Sequence, residues 1–295
     1  AMQRAIDRYI GAAAGKGLDI HSVMVLKDGK VLGEKWNSLG RPDTPHIMNS
    51  ASKTLTSTAA GFAVAEGKLD LDDKVIRFFP DKLPGKVSDN LKNMTVRDLL
   101  TMTSGQAKAN TKAQRQTEYD WVAAFLAEPV PYTPGTYYAY NGLGTFMVSA
   151  IVQKAVGENI FDYLTPRLFR PLGITGITWD ENPDGINCGG WGLYLKTEDM
   201  AKIGQFYLQK GKWDGKQLLP EWWIEEASKA QVPSRPGGMT DDQYKRKDPE
   251  NNDWMQGYGY QRSRGRNQRY HADGAHCPDA PVPPHPHTVP AHPTP

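Results

Sequence analysis

Apolar residues first recur at helical spacing over residues 3–14, where Ile6 and Ile10 lie four apart and Gly15 and Gly17 stop the run. The pattern then turns strand-like. His21 to Leu26 and Val31 to Trp36 flank Lys27-Asp28-Gly29-Lys30, a strong hairpin signal. Near residue 50 the helical period returns. Leu55, Ala59, Phe62, Ala63 and Val64 describe a helix ending around Gly67, apolar enough to be buried within a domain. Thr95 to Leu100 predicts another helix, with Thr95 as N-cap and Asp98 in capping-box position, closed by Thr103-Ser104-Gly105. Trp121 to Leu126 is helical in pattern, and Pro129, Pro131, Pro134 and Gly135 impose an irregular path after it. Further helices are expected from Leu143 to Lys154 and from Phe161 to Phe169, the latter interrupted by Pro166. Another runs from Glu198 to Gln209, capped by Thr197, and Pro220 opens the next.

Residues 232–256 are poor in apolar anchors and read as an exposed loop, with Trp254, Tyr258 and Tyr260 marking a return to structure. The last twenty residues hold eight prolines and four histidines, which predicts an irregular tail and no buried strand. The order of elements predicts a mixed α+β fold, with an antiparallel sheet and most helices gathered away from it. One domain over residues 1–275 is expected, its helical region about 48–210 inserted between sheet elements, with 276–295 as tail.

Composition narrows the functional classes. The chain has 295 residues, enough for a sizeable core, and 35 basic residues against 33 acidic give a net charge of +2. That balance gives no reason for nucleic-acid steering. Arg262, Arg264, Arg266 and Arg269, beside Tyr260 and Tyr270, read as a solvated hairpin edge. Cys188 and Cys277 form neither a metal-ligand spacing nor a disulfide framework, and the tail histidines offer no defined metal geometry. No metal and no cofactor is expected. No apolar run reaches membrane-spanning length, and Arg4, Asp7 and Arg8 interrupt any signal-peptide core. The location is expected to be periplasmic or secreted if an upstream signal was removed, and cytoplasmic otherwise.

Three places could carry chemistry. Ser50-Ala51-Ser52-Lys53 places a hydroxyl and an amine nearly one helical turn apart, at the start of the apolar helix. A serine needs a base to become a nucleophile, and an uncharged lysine could serve; as a cation, Lys53 could orient the hydroxyl instead. The plain alternative is that Ser50 caps the helix and Lys53 faces solvent, with Ser52 a neighbour pointing elsewhere. Tyr140 lies just ahead of the long helix at 143–154, where a tyrosinate beside a lysine could act as base; Tyr138 belongs to the same aromatic patch. In His271-Ala272-Asp273-Gly274-Ala275 a glycine permits close backbone approach, so an amide here could complete an oxyanion hole with that of Ser50. An ordinary strand-end turn is the alternative.

Taken in order, these residues resemble the serine β-lactamase-related hydrolases: class C β-lactamases, D-alanyl-D-alanine carboxypeptidases, related esterases and 6-aminohexanoate-dimer hydrolases. The resemblance runs from about His21 to Ala275. It rests on the hairpin with Asp28-Gly29, on Ser50 and Lys53, on Glu66 to Asp73, and on Thr95 to Gly105. Pro134-Gly135-Thr136 ahead of Tyr140, Pro171 to Ile174, Gly189-Gly190-Trp191-Gly192, Thr197 and Asp199 complete it. It implies the serine β-lactamase/penicillin-binding-protein-like transpeptidase fold and a covalent acyl-Ser50 intermediate. Lys53 and Tyr140 would share proton management, and the amides of Ser50 and the Gly274–Ala275 region would hold the oxyanion. The substrate would be a small ester, amide or lactam.

The chain also departs from that pattern. Gly142 stands where the class C tyrosine motif has asparagine, and Ala272-Asp273-Gly274 stands for lysine-threonine-glycine, a form closer to the esterase and aminohexanoate-hydrolase branches. The Pro/His-rich tail replaces the family's last strands and helix. Those are therefore expected to be missing, leaving the opening hairpin with an unpaired edge unless another element or a second copy of the chain, as a homo-oligomer, covers it. The alternative function is a catalytically impaired relative that binds peptide or cell-wall-like ligands without turnover.

Overall fold

The computed structural model describes residues 1–108 and 120–265, together with the strand backbones at 270–274, 277–282 and 289–291. Helix α1 (Met2–Ala14) precedes the hairpin of β1 (Ser22–Lys27) and β2 (Lys30–Trp36), which turns at Asp28 and Gly29, both in the left-handed region. Strand β1 is buried from Ser22 to Leu26, because its two faces serve different cores. Val23 and Val25 meet Ile6, Ile10 and Ala13 of α1, and Met24 and Leu26 face the main core.

The short strand β3 (His46–Ile47) leads through a 3₁₀ turn at Asn49–Ala51 into α2 (Ser52–Ala65). Every residue of α2 from Ser52 to Ala63 is buried, so its polar side chains need internal partners. The Thr58 hydroxyl donates to Thr54 O at 2.8 Å or less and pairs with the Tyr207 hydroxyl, and Thr56 Oγ1 donates to Gly189 O at 2.8 Å. Helices α3 (Asp89–Asn93), α4 (Val96–Leu100) and α5 (Trp121–Ala127) follow. The capping box expected at Thr95 and Asp98 is formed. Helix α6 (Gly142–Val156) packs along α2 and ends at Gly157 in the left-handed conformation. Helix α7 (Ile160–Leu164) runs into a wider π turn at Thr165–Phe169, where Pro166 lies.

A second sheet has β5 (Leu193–Leu195) between β3 and β4 (Thr178–Trp179). Helix α8 (Thr197–Leu208) begins at Thr197, but that residue is not its cap. The Thr197 hydroxyl pairs with Ser22 Oγ at 2.6 Å, while the Asp199 carboxylate accepts from Lys196 N. The small hairpin of β6 (Lys212–Trp213) and β7 (Lys216–Gln217) precedes α9 (Glu221–Ser228). Within the expected loop at 232–256 a short α10 (Asp241–Arg246) forms on a Thr240–Gln243 capping box.

The last sheet orders β10 (Cys277–Val282), β9 (Tyr270–Gly274) and β8 (Ser263–Arg264). Strand β11 (Val289–Ala291) pairs with β1, Met24 opposite Ala291 and Leu26 opposite Val289. The expectation of a strandless tail is thereby corrected. Both β10 and β11 end their sheets, and an edge position tolerates the missing donors of Pro281 and Pro290. The β1 edge, expected to be open unless another element or a second copy covered it, is paired with β11 over Met24–Leu26. The α+β architecture, with antiparallel sheets and a helical region, is the expected one.

Two measurements test this packing. A Cβ on Gly61 would lie 2.4 Å from Trp223 Nε1, in the middle of α2. Gly61→Ala is expected to destabilise the protein by about 1–3 kcal/mol despite its better helix propensity, read from the urea midpoint. At the end of α2, burial pushes the Glu66 carboxyl up, but hydrogen bonds from Arg167, Lys68 and Tyr163 outweigh it and hold it at about 2. Because the folded value lies below the ordinary one, the group's stabilisation is complete above the ordinary carboxylate range and is lost as pH falls toward 2. Urea midpoints of the parent and Glu66→Gln should therefore differ at neutral pH and converge in acid.

Candidate active site

Strand β3 delivers the chain to Ser50. Met48 N continues its pairing by donating to Leu193 O at 2.8 Å, and Asn49 then turns sharply with φ of 42°. Neither the 3₁₀ turn nor α2 carries a side-chain cap, so Ser50 is not spent as one. Ser52 lies on the opposite side, fully buried, its Oγ accepting from Leu193 N.

Lys53 does not face solvent: it is 3% exposed. Its Nζ donates to Ser50 Oγ at 2.9 Å and to Gly190 O at 2.8 Å. A buried ammonium is tolerated only with such acceptors around it. The second acceptor exists because the chain at 189–190 approaches with no side chain in the way. A Cβ on Gly190 would lie 2.8 Å from Gly142 O, and one on Gly189, at φ +70°, 3.0 Å from Ser149 Cβ.

Tyr140 closes the third side, with Lys53 Nζ 4.9 Å from its ring centroid. The arm that carries it is docked on the Met102–Gly105 loop. Tyr132 N donates to Gly105 O, Gly135 N to Thr103 O, and Ala139 N to Met102 O. Tyr140 is half exposed, whereas its neighbours face other partners. Tyr138 packs against Tyr258, and Tyr137 stacks on Tyr132 at 3.7 Å and donates to Gly237 O.

Asn141 fixes the arm to α6. Its Oδ1 accepts from Gly144 N at 3.1 Å as the N-cap, and its Nδ2 donates to the buried Gln106 Oε1 at 2.9 Å. Gln106 in turn donates to Phe125 O. Neither Gln106 nor the Gly190 carbonyl was marked by any sequence signal beyond the glycine pair itself.

The other expected residues fall as follows. Strands β9 and β10 lie against the Asn49–Ala51 turn, and Gly274 is the last residue of β9. Ala275 lies outside the described residues, as do Arg266 and Arg269. Arg262 and Arg264 are not a solvated edge. Arg262 is buried with its guanidinium 3.8 Å from the Tyr207 ring centroid, and Arg264 donates to Ser228 O. Burial, with help from Asp180 and Glu181, pushes the Cys188 thiol up to about 12, so it is no rival nucleophile. Among the described residues no three His, Cys, Asp or Glu side chains converge as metal ligands, and no helix is long and apolar enough to cross a membrane.

Asn141→Ala removes a helix cap and leaves the buried Gln106 carbonyl without its donor. A loss of about 1–3 kcal/mol is expected, measured by thermal or urea unfolding, with Asn141→Asp recovering the cap but not the Gln106 bond.

Known proteins resemble this chain in sequence and fold. The chain is 24% identical over 220 residues to the 6-aminohexanoate-dimer hydrolase of Paenarthrobacter ureafaciens, covering 68% of this chain and 55% of that protein. It spans about half the length of the curated relatives it matches. The octameric penicillin-binding protein homologue from Pyrococcus abyssi superposes with a TM-score of 0.74 at 19% identity, over 98% of this chain and 72% of the other. A D-stereospecific amidohydrolase from Streptomyces sp. gives a TM-score of 0.71 at 18% identity, over 98% and 93%. The beta-lactamase family pattern matches residues 6–280, nearly the whole chain, and the chain belongs to that family of serine β-lactamase and penicillin-binding-protein-like folds.

Proposed function

We propose that the protein is a serine hydrolase that forms an ester between Ser50 Oγ and the acyl group of a small ester or amide. The observation that carries this reading is the buried Lys53 Nζ, 2.9 Å from Ser50 Oγ. A lysine placed there for solubility would be exposed.

In the forward step Ser50 Oγ bonds to the substrate carbonyl carbon and its proton passes to the Lys53–Tyr140 pair. The carbonyl π electrons move onto oxygen. The positive end of α2 and the backbone amide of Ser50 favour that oxyanion, with an amide from the 274–275 strand end as its proposed second donor. As the tetrahedral species collapses, the bond to the leaving oxygen or nitrogen breaks, and that atom takes the proton back from the pair. Water then repeats the sequence on the acyl-Ser50 ester, releasing the acid and restoring the hydroxyl. Lys53 can accept a proton only when its Nζ is uncharged; as an ammonium it holds Ser50 Oγ in place, and Tyr140 is the acceptor as its phenolate.

The relatives named as a 6-aminohexanoate-dimer hydrolase and a D-stereospecific amidohydrolase favour an amide or ester substrate. The sequence of strand β9, Tyr-His-Ala-Asp-Gly, holds an aspartate and no lysine. That composition disfavours substrates gripped through their own carboxylate, and β-lactams are accordingly ranked below uncharged esters and amides. The same departure favours a second reading, an impaired relative that binds ligand without turnover.

Hydrolysis of p-nitrophenyl butyrate separates the two. Turnover by the parent, its loss in Ser50→Ala, and a fall of about 10²–10⁴-fold in kcat for Lys53→Ala are expected. Saturable binding without release of nitrophenol would favour the impaired relative, and full activity in Ser50→Ala would overturn the assignment.

A further inference from the structure

A half-exposed aromatic side chain just ahead of a helix has several rotamers open to it unless neighbours confine it. Tyr140 has Lys53 over one face, and Tyr258 meets it edge-to-face, with centroids 6.5 Å apart and planes at 84°. Tyr258 is well placed to act as a stop. It is 3% exposed, and it also packs edge-on against Tyr138, at 5.6 Å and 60°.

The backbone of Tyr258 is fixed on both sides. Tyr258 N donates to Val232 O at 2.9 Å, Gln231 N donates back to Tyr258 O at 2.9 Å, and the residue also bridges to Ser263. Its neighbours are glycines for a steric reason. Gly257 sits at φ +110°, and a Cβ on Gly259 would lie 2.2 Å from Ala227 O. The chain passes through a gap that admits backbone alone and presents one large ring between two small residues.

Val232 and Tyr258 thus close the ends of a strap, and the strap touches the Tyr140 arm a second time at Gly237. Gly237 N donates to Tyr138 O at 2.8 Å and Gly237 O accepts from the Tyr137 hydroxyl at 2.9 Å. A Cβ on Gly237 would lie 2.2 Å from the Tyr137 ring. Both attachments fall on the three residues that lead into Tyr140.

We propose that Tyr258 is a positioning residue for the hydrolytic reaction: its ring, held by the 232–258 strap, keeps the Tyr140 phenol beside Lys53 and Ser50. This rests on the serine-hydrolase reading above. The contact is between ring surfaces, so phenylalanine at 258 should serve and an aliphatic side chain should not.

The test uses the full chain and p-nitrophenyl butyrate, with kcat, KM and the pH profile of kcat measured for each variant. Tyr258→Leu is expected to lower kcat by about 10–100-fold with KM within about twofold, and to shift the limb of the profile that reports Tyr140. Tyr258→Phe should recover most of the rate. In a Tyr140→Phe background Tyr258→Leu should add nothing, because the two changes disable one group. A folded Tyr258→Leu protein with the parent kcat and pH profile, or an equal loss in the Tyr140→Phe background, overturns the inference. If Tyr258→Leu does not fold, Gly237→Ala displaces the arm from the strap's other attachment. A fall in kcat that disappears in the Tyr140→Phe background supports the inference, and an unchanged kcat overturns it. Fluorophosphonate labelling keeps the two levels apart. An unlabelled Ser50 in the folded parent removes the hydrolase reading and this inference with it, whereas a labelled Ser50 with an indifferent position 258 removes the inference alone.

Discussion

The buried amine of Lys53 is the constraint around which the centre of the molecule is arranged. An amine at 3% exposure needs hydrogen-bond partners on the sides that water has left, and the helix bearing it cannot supply them. Ser50 Oγ is one acceptor, the Gly190 carbonyl another, and the Tyr140 ring covers a third side. Each comes from a different stretch of chain. Their convergence requires α2 and α6 to lie close, the glycines at 189–190 to pass without side chains, and the Tyr140 arm to rest on the loop after α4.

Three strained backbone positions lie around the same centre. Among the non-glycine residues with positive φ, Asn49 precedes Ser50 at 42° and Met102 supports the Tyr140 arm at 61°. Gln261, at 62°, donates from Nε2 to Leu99 O and Leu100 O, both at 3.0 Å, while its Oε1 accepts from Thr145 on α6. Such conformations cost about 1–3 kcal/mol each and persist where the surroundings over-determine them. Met102 shows how: its carbonyl accepts from Ala139 N and its sulfur from Asn141 N, so the strained residue is itself a dock. The rigidity this gives to Ser50, Tyr140 and the start of α6 suits a site that must hold reacting atoms in place.

What was legible in the sequence is what local chemistry dictates. Asp28-Gly29 makes its hairpin, Thr95 and Asp98 make their capping box, and the small residues of α2 bury the helix from Ser52 to Ala63. The serine and lysine could be read as a pair from their spacing, but nothing local reveals whether the lysine is exposed. Its second acceptor lies 137 positions away in the chain. Gln106 and Tyr258 were missed for the same reason, since each matters through a partner distant in sequence. Thr197 misled because its hydroxyl had a better partner in Ser22 than in its own helix. The tail misled because proline argues against a strand only where both edges must be paired, and β10 and β11 each have one edge outside their sheet.

The central claim is that Ser50 is an activated nucleophile, and intact mass after exposure to a fluorophosphonate tests it most directly. Addition of one phosphonyl group to the folded parent, absent in Ser50→Ala and strongly slowed in Lys53→Ala, is the predicted result. A parent that unfolds cooperatively yet gains no mass, or a Ser50→Ala variant labelled as readily as the parent, would contradict it.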